Sequence, residues 1–381
     1  MGDPVISFAQ HETYAFVQDE IRLRPNVSLS LGLRHEWESN GNSARNFAPR
    51  LALAYSPHGG QTVVRAGFGI FYERQPELME QQSLLGDGVR IRRIVIPDPV
   101  YPMPLGPAVP VLSTTPSIER MAAGIGFPYL MQSNIALERR LGSGQNYLTI
   151  EYLAVRGVHL YRMRNMNAPW PGTPGATVRP NPNFVNIDQF ESSGTSRSNS
   201  LTLTLQTRAY KRLNLLTQYT LSRTMDDTEG LSSLPANNYD LHPEWGRADF
   251  DRRHQLNVVG TYTWFWGLRF GGILSVHSGL PFNITTGFDE NHDTVANDRP
   301  SGVHRNTGRG PGFAEVDLRL SKIVRFERQN ARQAEFAVDT FNLFNTVNFV
   351  NFVGTQTSPL YGRANAAFAA RQVQLSLRFC F

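Results

Sequence analysis

The densest group of oxygen ligands in the sequence is Asp289-Glu290-Asn291-His292-Asp293, followed by Asp298. Oxygens at alternate positions, on Asp289, Asn291 and Asp293 with Asp298 beyond, suit a hard cation such as Ca2+. Thr294 stands where a calcium loop carries the glycine of its sharp turn, and no glutamate closes the loop. A solvated acidic loop explains the same residues, so Ca2+ is one of two readings. Catalytic chemistry has less to build on. No two histidines stand four apart around a glutamate, and no serine sits in a Gly-x-Ser-x-Gly elbow. Gly308-Arg309-Gly310-Pro311-Gly312 leads into a strand pattern and not a helix, so it is no dinucleotide loop. Cys380 is alone, which leaves neither a disulfide framework nor a thiol metal cluster. These residues point away from an enzyme, and Ca2+ is the only cofactor they suggest.

Charge sets a further limit. The 381 residues carry 37 Lys+Arg against 32 Asp+Glu, and Lys211 and Lys322 are the only lysines. The arginines are scattered and form no patch along the chain, which argues against a nucleic-acid partner. Charged residues reach 18% and aromatics 11%, outside the disordered range. No apolar run approaches the ~18–20 residues of a membrane helix. The start lacks the basic, apolar and small-residue zones of a signal peptide, so an export signal is expected upstream of Met1.

The elements that must position these residues are strands. Val27-Ser28-Leu29-Ser30-Leu31-Gly32-Leu33-Arg34 alternates apolar with polar or small residues, as do Leu201 to Gln206, Ala314 to Ser321 and Val373 to Phe379. A period of two marks a strand with two different environments. The pattern predicts about thirteen strands, near 12–23, 27–38, 47–56, 61–73, 130–141, 146–162, 197–209, 212–225, 253–264, 268–279, 312–325, 332–345 and 371–381. Short turns such as Arg24-Pro25-Asn26, His58-Gly59-Gly60 and Phe265-Trp266-Gly267 join them in pairs. Long polar segments near 74–129, 163–196, 226–252, 280–311 and 346–370 separate the pairs.

Short turns at one end and long loops at the other describe an antiparallel transmembrane β-barrel with periplasmic turns and extracellular loops. A soluble β-sandwich alternates similarly but does not sort its loops by end. The polar face of strand 312–325 would line a wet lumen and its aliphatic face would meet lipid. Trp37, Tyr72, Tyr152, Trp264 and Trp266 read as interface girdle residues and not as a ligand cage. Since bacterial barrels have even strand counts, an odd count predicts a partial barrel that opens in an external loop.

The alternating segments also resemble one family. Tyr14-Ala15-Phe16-Val17-Gln18-Asp19-Glu20, then Glu151 to Leu160, Tyr219 to Asp227 and Asp249 to His254, look like barrel strands of TonB-dependent receptors of the Oar-like group. Ser278 to Phe282, Asn297 to Pro300, Arg309 to Gly312 and Phe341 to Asn345 follow in the expected order, so the resemblance covers nearly the whole chain. It implies an outer-membrane location in a Gram-negative bacterium and a full barrel of about 22 strands. It implies that residues 1–381 are the C-terminal part of that barrel, with plug and carboxypeptidase-regulatory-like domains upstream. The expected partners are outer-membrane lipid and lipopolysaccharide, the barrel-assembly machinery, and the TonB system through the missing N-terminal part. Uptake of an extracellular substrate is the expected function; the alternative is a surface protein whose loops bind a partner or polysaccharide without transport.

The end of the chain carries the last signal. Val373, Leu375, Leu377, Phe379 and Phe381 share one face, and the chain stops on the aromatic. This resembles the β-signal read by the assembly machinery, in which an exposed edge pairs through its main chain while alternate side chains fill apolar pockets. A plain lipid-facing strand fits the same residues.

Overall fold

The computed structural model describes residues 5–41, 43–57, 60–93, 115–142, 144–171, 178–209, 212–326 and 333–380. Thirteen strands form a single antiparallel meander: β1 Glu12–Arg24, β2 Val27–Glu38, β3 Phe47–Tyr55, β4 Thr62–Tyr72, β5 Tyr129–Arg140, β6 Tyr147–Asn165, β7 Ile187–Ala209, β8 Leu213–Asp226, β9 His254–Thr263, β10 Leu268–His277, β11 Phe313–Arg325, β12 Gln333–Phe341 and β13 Gln372–Cys380. Each pairs with its neighbours in sequence, and the sheet does not close: among the described residues β1 pairs only with β2 along this path, and β13 only with β12. The thirteen expected strands are all present. Among the described residues, no helix is long and apolar enough to cross a membrane.

Register turns the alternation into two faces. Leu137, Ile150, Leu203, Tyr219, Leu256 and Val276 lie in one row across β5 to β10. Phe270, Leu320, Val338 and Leu375 continue the same side across β10 to β13. These side chains have no protein core to enter, and lipid covering each contributes roughly 1.5–3 kcal/mol. The opposite face is polar. Glu151, Thr202 and Thr220 are aligned there, with a 3.1 Å hydrogen bond between the two threonine hydroxyls. On the same side Arg319 of β11 reaches both oxygens of Asp339 on β12, at 2.9 and 2.8 Å. The first strand is less cleanly sorted: Asp19 lies beside Leu31 on the apolar side, and Phe16 beside Arg34 on the polar one.

The turn between β9 and β10 shows why glycine punctuates these hairpins. Trp266 and Gly267 have φ of 59° and 75°, both left-handed, at the end of the four-residue connection 264–267. Gly267 adopts that conformation without steric cost, while Trp266 accepts it and projects into the interface zone, 84% exposed.

Two strand boundaries differ from the sequence reading. β7 begins at Ile187, ten residues before the apolar alternation. Its first part pairs with the end of β6 beyond a bulge at Gly157/Leu160, above the membrane, so no lipid-facing pattern announces it. β12 ends at Phe341 and not near 345, because Asn342 and Asn345 take φ of 50° and 55°. The long segments also hold structure of their own: a helix at Glu77–Leu85 and a strand at Ile118–Met121, which pairs parallel to the start of β7. A buried apolar cluster forms where these segments meet the loop ends of β6 and β7: Met79 and Ile125 pack with Tyr161 and Phe190.

Candidate functional site

The segments between strand pairs meet at one end of the sheet and are joined by ion pairs. Asp226 ends β8 and Asp227 follows it, and the two diverge to different partners. Asp226 pairs with Arg305 from the 278–312 loop, while Asp227 pairs with Arg162 of β6 at 2.6 Å and accepts the Thr195 amide at 2.7 Å. Arg305 also donates to the Glu244 and Asp226 carbonyls at 2.9 and 3.0 Å. Its side chain is 1% exposed, and burial, with Arg162 nearby, pushes its pKa down to about 10. Asp251 of the Asp249–His254 motif accepts the Thr224 amide at 2.7 Å, and Asn342 donates its amide to Asp317 at 2.9 Å. The recurrent motifs thus build the loop layer; they are its joints.

Between these joints lies a cavity of about 250 Å3, lined in part by Arg162, Asp227, Glu229, Glu244, Asn297 and Arg299. Its lining holds both acceptors and donors, as suits a small polar guest, and neither histidine nor cysteine lines it.

The acidic loop folds onto itself. Asp289 accepts the amides of Asp293 and Thr294 at 3.0 and 2.8 Å, and Asn291 accepts the Asp293 amide at 2.9 Å. Asp298 accepts the Glu290 amide at 2.7 Å. Asp293 is fully buried, with one oxygen on the Val295 amide and the other on the Asn238 side chain at 2.7 Å. Burial, with Asp289 and Asp298 close by, raises its pKa to about 7. The four candidate ligands are neighbours, and their oxygens accept the loop's own amides and, at Asp293, the Asn238 side chain. Among the described residues no group of three His, Cys, Asp or Glu side chains is arranged to hold a metal ion.

The assembly-signal residues Val373, Leu375, Leu377 and Phe379 stand on the apolar face of β13, all exposed, Leu375 at 76%. Phe381 lies outside the described residues. Trp37, Tyr72 and Tyr152 fall on the lipid side of their strands, as the register shows, and Trp264 lies just past the end of β9. What sequence reasoning missed is the ionic layer itself. Its arginines and acids are far apart in the chain, and only the aspartate pair at 226–227 hinted at it.

Comparison with known proteins adds to this geometry. The profile of the outer membrane beta barrel domain family matches residues 40–304 and 301–374. No curated protein sequence matches. Among solved structures, the outer membrane transporter YddB from Escherichia coli superposes with a TM-score of 0.65 at 14% identity, over 97% of this chain and 45% of that one. A mutant of the ferric enterobactin receptor PfeA from Pseudomonas aeruginosa gives 0.63 at 15%, over 97% and 44%. BauA, the ferric preacinetobactin receptor from Acinetobacter baumannii, gives 0.55 at 14%, over 98% and 44%. The chain spans less than half the length of these proteins, and at such identities the likeness shows the fold alone.

Proposed function

The chain belongs to the outer membrane beta barrel domain family and lies in the outer membrane, and from that premise we propose that it forms the wall of a TonB-dependent receptor that takes up an extracellular substrate. The observation that carries this reading is the superposition of 97% of the chain on an outer membrane transporter and a ferric siderophore receptor. These neighbours are transporters and receptors and not enzymes. The polar, ion-paired loop layer supports the same reading, since a mouth of that kind can hold a small hydrophilic guest before it passes.

The order of motifs from Tyr14 to Asn345 supports placing the chain in the Oar-like group, with residues 1–381 as the C-terminal part of the barrel and a plug and a regulatory-like domain elsewhere in the whole protein. Coupling to the TonB system belongs to that whole protein, and insertion to the barrel-assembly machinery reading β13.

The test is physical. The whole receptor, solubilised from the outer membrane, should bind the purified periplasmic domain of TonB in a pull-down and in titration. A receptor that inserts correctly but shows no affinity for TonB would leave a wall whose loops only meet surface partners.

A further inference from the structure

The register places a set of arginines on the outside of the wall. On β5 to β8 the uppermost apolar row facing lipid is Ile135, Tyr152, Leu201 and Leu221. One step further toward the loops on that face comes Arg223, opposite Asn199. The next step holds Arg156 opposite Arg197, Arg197 opposite Met225, and Met225 opposite Arg247. Two residues of strand advance ~7 Å along its axis. With the usual barrel tilt, these guanidinium groups stand roughly 5–10 Å beyond the apolar band, at the depth of lipid headgroups.

Arg223 and Arg247 also open onto a hollow of about 440 Å3, lined by Met225, Trp245, His304 and Arg309 as well. No aspartate or glutamate lines it. Arg305, at its back, spends its charge on Asp226. Asp251 pairs with Arg247 at 3.8 Å through the oxygen that the Thr224 amide leaves free. Among the described residues, no ion pair or side-chain hydrogen bond engages Arg223 or Arg309. Burial and then Arg309 lower the Arg247 pKa, with Arg253 and Arg223 adding to them and Asp251 opposing, so the crowded cations outweigh the one anion beside them. Trp245 lines the same hollow and is exposed, as amphipathic rings at a membrane border are.

Guanidinium forks left open at headgroup depth match phosphate oxygens in geometry and in sign. We propose that Arg223, Arg247 and Arg309, with Arg156 and Arg197 along the same face, form a docking site on the outer wall for the phosphate-bearing headgroup of an outer-leaflet glycolipid. The bound headgroup supplies the missing negative charge, and its acyl chains lie down over the Leu201–Leu221 row. The site rests on the barrel fold and on the apolar band, and is independent of what the receptor transports.

The test uses the whole protein in uncharged detergent, with bis-phosphorylated lipid A as probe and its dephosphorylated form as reference, read by native mass spectrometry. Binding should favour the phosphorylated lipid. The double variant Arg223→Gln/Arg309→Gln should weaken it on the order of tenfold, and Arg50→Gln/Arg269→Gln, which removes two charges from the polar face of the sheet, should leave it unchanged. Circular dichroism confirms that both variants keep their β-sheet. Equal weakening in the two variants would show a general charge effect and overturn the site. So would complete displacement of the lipid by millimolar inorganic phosphate, since the hollow would then be a small-anion site.

Discussion

Arg299 holds Glu244 through both carboxylate oxygens, Nη1 to Oε1 at 2.8 Å and Nη2 to Oε2 at 2.7 Å, and so clamps two external loops to one another. Glu244 also accepts the Ala236 amide at 2.9 Å, and both side chains are at least nine-tenths buried. Removing one member of a buried pair strands the other, at a cost of about 3–5 kcal/mol. Arg299→Ala should therefore loosen the loop layer while the wall holds. Hydrogen exchange should quicken at amides in 227–253 and 278–312 and stay slow in β5 to β10. Uniform quickening across the wall would show that the loops and the wall unfold together.

The two faces of the wall should respond oppositely to the same substitution. Leu203 faces lipid between Ile150 and Tyr219, and the adjacent Thr204 faces inward between Thr149 and Gln218. Leu203→Arg should destabilise the inserted protein by about 2–4 kcal/mol, measured by denaturant unfolding in lipid vesicles. Thr204→Arg should cost far less. Similar losses at both positions would contradict the assignment of faces.

Acidity should tighten the loop that holds Asp293. Its folded pKa near 7 lies above the unfolded carboxylate value, so the folded loop binds the proton more tightly. Stability is then greatest below the unfolded pKa and falls as pH rises from ~4 through 7. Loop amides should exchange more slowly at pH 5 than at pH 8, after correction for intrinsic rates, and Asp293→Asn should flatten the difference. Millimolar Ca2+ at pH 8 should not restore protection, because the loop's oxygens already serve its own amides. Restored protection would revive the cation reading.

The end of the chain should matter for insertion more than for stability. Cys380 pairs with Gln333 on the polar side of β13, one place along from Phe379 on the apolar side. Phe381→Ala should lower the amount of inserted whole receptor far more than Cys380→Ala, measured by heat-modifiable gel mobility of outer-membrane fractions. Losing one aromatic removes at most ~1.5–3 kcal/mol of burial, which a large barrel tolerates once folded. Equal yields would make β13 plain wall.

The wall was legible because lipid imposes a strict rule on it. A strand with oil on one side and water on the other must alternate, and Leu201-Thr202-Leu203-Thr204 does so without ambiguity. All thirteen strands, their pairing and the short turns could be read in this way. The first half of β7 could not, because Ile187 to Ser196 has water-facing and loop-facing neighbours on both sides and so no reason to alternate. The loop layer was illegible for a different cause. Arg305 meets Asp226 and Arg299 meets Glu244 across long stretches of chain, and a pairing of that kind has no period. In the acidic loop one pattern serves two ends, since a 289–298 spacing that suits ion ligation also lets the oxygens accept backbone amides.

β7 runs for 23 residues and β6 for 19, whereas a barrel strand crosses the hydrocarbon in ~9–11. The surplus is all at the loop end, so this hairpin rises like a mast from the cell surface, stayed by the Ile118–Met121 strand and the packing around Phe190. Arg162 and Arg164 stand on that surplus and reach Asp227 and the Asn238 carbonyl, so the hairpin's extra length carries the rigidity of the wall into the loops around it.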